Sequence, residues 1–296
     1  MMLHTLRSRG DTDFEEINKD CIPCLEMAFD AGVSLDLDQR YFPRLFKTHA
    51  WFRDIPRAVD GESEPKVIWC VLWTRTTCAP RLGLTRSLAC SFASVIRDPI
   101  KAAVSFYHFL GNWFFSKDEI GIDEFIQTFV CEARGEPKDY TENAGIFHVI
   151  KSYYERRSDE RVMLVCYENL VRHKRVHTEK LAEFLGIPCD QDLVDLVEQL
   201  SSKEWMAAPE NAGKFDEHFM KRAINEKCGL DINAGLGPGS TGKVRVGKGG
   251  SDDVISDQTR AMLEQRWRDV IEPATGCDTY GALLDTLRDE LYADWW

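Results

Sequence analysis

Residues 95–110 read VIRDPIKAAVSFYHFL. Two apolar residues run into Arg97-Asp98-Pro99. Proline is tolerated in the first turn of a helix, where its missing N–H costs no hydrogen bond. The stretch therefore predicts a strand ending at Arg97 and a helix over 99–110. Ser105 then lies two turns along that helix. Ligands of open α/β sheets sit at the carboxyl ends of strands. Arginine offers a planar fork of donors and serine a hydroxyl, so Arg97 and Ser105 could grip one phosphate. A surface Arg–Asp pair beside a serine merely carried by the helix is an equally good reading of these residues alone.

Working outward, strand and helix patterns alternate. Residues 2–9 predict the tail of a helix, and DFEEINKDCIPCLEMAFDAG a mostly helical stretch ending at Gly32. PRLFKTHA predicts a short strand running into a loop. PKVIW and VIRDP predict two pieces of one strand. IDEFIQTFVCEA and IFHVIKSYYERR repeat apolar residues at helical spacing. RVMLVCYENL predicts a short buried strand with a polar end. VHTEKLAEFLGIP, DQDLVDLVEQL and ISDQTRAMLEQRWRDVIEPATG predict helices, and the glycine-rich residues 233–250 a loop. Such alternation predicts an α/β sandwich around a central parallel sheet flanked by helices. No internal repeat is visible.

Composition sets the outer limits. A chain of 296 residues with 44% apolar and 29% charged residues buries an ordinary core. The net charge of −12 argues against a general nucleic-acid or membrane-surface binder. No uncharged apolar run is long enough to span a bilayer. The first residues carry no apolar signal core, so a cytoplasmic location is expected. Ten cysteines are scattered without a disulfide framework. Cys21 and Cys24 form one CxxC, but no second ligand pair at zinc spacing accompanies it, so free thiols and no metal are expected.

Two further segments could carry chemistry. In RLFKTH, Lys47 and His49 are two apart on a strand and so share a face. A histidine titrates near neutral pH and can act as a base, and a lysine can stabilise a negative leaving oxygen. Read alone, a surface lysine and a structural histidine are the commoner fate. In KVRVGKGG, Arg245, Gly247 and Gly250 give R-x-G-x-x-G, where backbone amides and one charge could approach an anion. No apolar strand leads into it, so it is not a dinucleotide fingerprint, and a solvated loop explains it as well.

Taken in order, PRLFKTH, VIRDPIKAAVSFYHF, LVCYENL with KLAEFLGIP, and VRVGKGG resemble the cytosolic sulfotransferase family, from about residue 2 to 287. The resemblance implies one sulfotransferase domain over 1–296 with a P-loop-like α/β fold. It implies transfer of a sulfuryl group from 3′-phosphoadenosine 5′-phosphosulfate (PAPS) to a small alcohol, phenol, sterol or amine. By the same resemblance, Arg97 and Ser105 hold the nucleotide 3′-phosphate, and Arg245, Val246 and Gly247 close over it. Tyr167 lies near the adenine, His49 is the catalytic base and Lys47 its companion. Lys203 stands where the family has an aromatic that stacks on adenine, which puts that contact in doubt. The family's C-terminal dimer motif is not recognisable, so the resemblance implies no oligomeric state.

Two departures qualify the resemblance. The family's 5′-phosphosulfate loop, of the type K-S-G-T-T-W, and the strand before it have no counterpart, so the first strand is expected to be missing. Residues 70–94 interrupt the run from KVIW to VIRDP. They hold no Asp, Glu or Lys and three of the ten cysteines, the expectation being an insertion or retained intron. Activity of the chain as written is accordingly expected to be impaired. The alternative is a non-catalytic descendant that binds 3′-phosphoadenosine nucleotides or a partner protein. A phosphoryl-transferring kinase comes third, since its phosphate loop and acidic metal ligands cannot be placed. Phe106, Tyr107 and Trp113 could line an acceptor pocket, but core packing is the commoner role.

Overall fold

The computed structural model describes residues 1–35, 39–49, 68–70, 92–131, 145–236 and 254–291. Four strands, β1 (Lys47–Thr48), β2 (Ile68–Cys70), β3 (Phe92–Ile96) and β4 (Val162–Cys166), form one sheet in the order β1-β2-β3-β4. Every neighbouring pair is parallel. The longer helices are α1 (Met2–Ser8), α3 (Pro99–Leu110), α5 (Ile146–Tyr154), α7 (Lys174–Leu185), α8 (Gln191–Leu200), α11 (His218–Cys228), α12 (Asp257–Val270) and α14 (Tyr280–Leu291). Short turns of helix fill the sequence between them: α2 (Leu25–Ala28), α4 (Ile122–Ile126), α6 (Tyr167–Arg172), α9 (Lys203–Ala207), α10 (Pro209–Ala212) and α13 (Glu272–Thr275).

The expected sandwich follows from alternation along the strands. Ile96 of β3 and Val162, Leu164 and Cys166 of β4 face a core shared with Val104, Phe106, Phe147, Ile150, Leu263 and Leu283. Ala93 of β3 faces the other way, toward Leu6, Leu181, Ala182, Leu193 and Val197. Helices α3, α5, α12 and α14 thus cover one side, and α1, α7 and α8 the other. Phe106 and Tyr107 are core residues, each with its ring 5.6 Å from that of Phe125. Trp113 is buried too and donates its indole N–H to Asn225 Oδ1.

The decisive helix forms as its sequence predicts. α3 begins at Pro99, and the Asp98 carboxylate accepts hydrogen bonds from the Ile100 and Lys101 amides. That cap satisfies donors which the first turn leaves orphaned. The helix ends at Leu110, before Gly111.

Two expectations are corrected. PKVIW and VIRDP are not pieces of one strand. Ile68–Cys70 and Phe92–Ile96 are neighbours, with Ile68 opposite Ala93 and Cys70 opposite Val95. Parallel neighbours need a crossover of about a dozen residues or more, and residues 71–91 supply that length. The segment 70–94 thus gives Cys70 to β2 and Phe92, Ala93 and Ser94 to β3. The long helix predicted before Gly32 is also broken. It forms a π-helical turn at Ile17–Cys21 and a separate α2. Pro23 lies between them and lacks an amide donor, and Ile22 before it is out of the helical region (φ −129°, ψ 75°).

Candidate nucleotide and acceptor site

Strand register builds the first half of the site. Ile96 of β3 sits opposite Cys166 of β4, so Arg97 and Tyr167 leave the sheet side by side. The Arg97 guanidinium carbon lies 4.8 Å from the centre of the Tyr167 ring. Tyr167 is 39% exposed, which leaves ring surface open. Arg97 Nε is buried and makes no hydrogen bond among the described residues. The charge is therefore met by an aromatic face, an arrangement that leaves guanidinium donors for an anion. Ser105 lies two turns along α3 and is half-buried.

Beneath this pair is a contact that sequence reasoning missed. The Tyr280 hydroxyl, from α14, donates to Glu168 Oε2 at 2.6 Å and lies 3.4 Å from the Ile96 carbonyl oxygen. Burial, with Cys166 and Glu168 nearby, pushes the phenol far above its ordinary range. It stays protonated and can only donate to the carboxylate. Glu168 sits in the quoted CYENL, but Tyr280 is 112 positions away and no local pattern marks it.

The second half gathers at β1. The Lys47 amide donates to the Pro23 carbonyl oxygen at 2.8 Å, and Cys24 bridges to Lys47. His49 Nδ1 lies 3.9 Å from Cys24 Sγ. Lys47 Nζ lies 3.5 Å from Glu217 Oε1, with side chains 12% and 6% exposed. Asn18 Nδ2 donates to the same carboxylate oxygen. Next to it, Glu16 Oε1 accepts from the Phe219 amide at the start of α11. Burial pushes the Glu16 carboxyl above its ordinary value. Burial pulls Lys221 down, and its ammonium donates to the Gly235 carbonyl oxygen at 3.3 Å.

Because all four strands are parallel, His49, Arg97 and Tyr167 lie along one carboxyl edge. Thr48, Trp69 and Ser94 share a level across β1, β2 and β3. Two strand spacings separate β1 from β3, about 10 Å, a span that one nucleotide can bridge. Arg245, Val246 and Gly247 lie outside the described residues. Lys203, at the start of α9, is exposed. Among the described residues no cluster of three or more His, Cys, Asp or Glu could hold a metal ion. Cys21, Cys24, Cys131, Cys166, Cys189, Cys228 and Cys277 are free thiols.

Comparison with known proteins gives this edge its context. A family model described as a sulfotransferase domain matches residues 82–227, which include β3, α3 and β4. Over these residues the chain is similar to the sulfotransferase family. Among its sulfotransferase relatives, sulfotransferase 1E1 of Cavia porcellus is 23% identical, the match covering 69% of this chain and 59% of that protein. The 3-alpha-hydroxysteroid sulfotransferase of Cavia porcellus is 24% identical, covering 67% and 58%. Sulfotransferase 4A1 of Homo sapiens is 24% identical, covering 66% and 60%. The chain thus spans about three-fifths of the length of these relatives. Among solved sulfotransferase structures, mouse SULT7A1 complexed with PAP aligns with a TM-score of 0.44 at 15% identity, covering 69% of this chain and 63% of that one. Retinol dehydratase in complex with androsterone and inactive cofactor PAP aligns with 0.44 at 17%, covering 62% and 49%. No helix among the described residues is long and apolar enough to cross a membrane.

Proposed function

We propose that the carboxyl edge of the sheet binds PAPS and that the chain moves its sulfuryl group to a hydroxyl or amine of a small acceptor. The observation carrying this reading is the Arg97–Tyr167 contact of 4.8 Å at the paired ends of β3 and β4. It joins a fixed cation and a half-open ring from segments that are 70 positions apart in the sequence. A 3′-phosphoadenosine needs that combination, a donor fork for the phosphate and an apolar face near the base. Ser105 and the segment Arg245–Val246–Gly247 supply further donors to the same phosphate.

The reaction follows from the residues at β1. The acceptor oxygen or nitrogen attacks sulfur as the bond from sulfur to the nucleotide phosphate oxygen breaks. The acceptor proton passes to His49, and the products are a sulfated acceptor and adenosine 3′,5′-bisphosphate. Lys47 offsets the charge that grows on the departing nucleotide oxygen. A relative named as a 3-alpha-hydroxysteroid sulfotransferase favours a small hydroxyl-bearing acceptor.

The test is incubation with PAPS and a panel of alcohols, phenols, sterols and amines, following adenosine 3′,5′-bisphosphate release. Slow acceptor-dependent release, in keeping with the impaired activity expected of the chain, is the expected result. Tight bisphosphate binding without release on any acceptor makes the chain a nucleotide binder instead. Failure to bind the bisphosphate overturns the reading altogether.

A further inference from the structure

We propose that Glu217 is a positioning residue for Lys47, its carboxylate steadied by Asn18 and holding the lysine protonated and in place at the end of β1. The consequence for turnover rests on the role given above to Lys47, whereas the pairing itself is measurable without it.

Geometry carries the inference. Lys47 is fixed by its strand, with its amide bonded to Pro23 and Ile68 opposite it on β2. Its ammonium reaches a carboxylate that lies 170 positions away in sequence and is itself 5% exposed. Glu217 sits just before α11 with a left-handed backbone (φ 56°). That conformation is costly for a residue with a Cβ, and persists where the surroundings hold it. Asn18, 6% exposed, donates to Glu217 Oε1 from the π-helical turn. A buried ammonium without a carboxylate would shed its proton to avoid desolvation.

The charged groups gathered here come from every neighbouring element. The stretch before α11 gives Glu217, α11 gives Lys221, and the N-terminal segment gives Glu16. Among the described residues, Cys24 and His49 are further titratable groups near Lys47. Asp216 adds a third carboxylate facing Lys221, and removing Glu217 takes away the carboxylate that lies 3.5 Å from the Lys47 ammonium. The carboxylate favours the protonated lysine. Its loss therefore lowers the pH at which Lys47 deprotonates, and the charged form fails earlier as pH rises.

The experiment is competitive acylation with acetic anhydride from neutral to strongly alkaline pH, with the Lys47 peptide read by mass spectrometry. In Glu217→Gln the midpoint for Lys47 is expected to fall by about one to three pH units. Asn18→Ala keeps the charge and loosens its hold, so a smaller fall is expected. An unchanged midpoint in a folded Glu217→Gln overturns the proposal. If that variant does not fold, an unchanged midpoint in Asn18→Ala overturns it. The pH profile of kcat separates the two layers. An alkaline limb that moves with the acylation midpoint supports the positioning role. A shifted midpoint with an unmoved limb overturns the role given to Lys47 and leaves the pairing standing.

Discussion

Arg97 and Tyr167 meet face to cation, 4.8 Å apart, where β3 and β4 end side by side. Neither residue is tied to a carboxylate among the described ion pairs, so both remain available to a ligand that is anionic at one point and flat at another.

Arg97→Ala should therefore discriminate between nucleotides. Adenosine 3′,5′-bisphosphate should bind more weakly by roughly 1.5–3 kcal/mol, the usual size of hydrogen bonds to charged groups. Adenosine 5′-monophosphate, which lacks the 3′-phosphate, should be affected far less. Titration calorimetry with both ligands checks this, and equal weakening would place Arg97 away from the 3′-phosphate.

Turnover should depend on His49 in a different way. A base within reach of the acceptor typically contributes about 10²–10⁴-fold. His49→Ala should lower kcat by that order while bisphosphate affinity stays nearly constant. If His49 only packs β1 against Cys24, the variant should lose thermal stability and nucleotide binding together, with kcat per folded molecule kept.

Tyr280 tests the floor under the nucleotide edge. Tyr280→Phe removes the hydroxyl that donates to Glu168 at 2.6 Å. A part-buried carboxylate deprived of a partner typically costs up to about 1–3 kcal/mol. Urea unfolding should show that loss, and Glu168→Gln combined with Tyr280→Phe should be less destabilising than the sum of the two. Strict additivity would mean that the contact contributes nothing of its own.

Acid should find a weak point at the N-terminus. His4 is buried, its Nε2 donating to the Asp11 carbonyl oxygen at 3.0 Å. Burial first, and then Arg7, lowers its pKa from 6.5 to about 4. The unfolded chain takes up this proton near pH 6.5 and the folded chain only near 4. The stabilisation is thus fully present above pH 6.5 and is lost as pH falls toward 4, about 3 kcal/mol in all. Urea midpoints at pH 7.5, 5.5 and 4.5 should fall less steeply for His4→Phe than for the parent chain. Parallel curves would remove His4 from the acid response.

Periodicity and punctuation determined much of this protein on their own. The proline at 99 and the aspartate before it fix where α3 starts, because capping acts within one turn. Apolar spacing marks β4, α5, α7, α8 and α12, because burial of one face imposes the period of the element. The same logic placed Arg97 at a strand end and set Lys47 and His49 on one face. What a local pattern cannot carry is which strand lies beside which. KVIW and VIRDP join into a plausible single strand by sequence, yet parallel pairing, with Ile68 opposite Ala93, makes them neighbours. Tertiary structure alone brought Tyr280 to Glu168 and Glu217 to Lys47, across 112 and 170 positions. Those contacts exist because a buried charge must find a partner wherever the packed chain offers one, and that requirement leaves no periodic mark in the sequence.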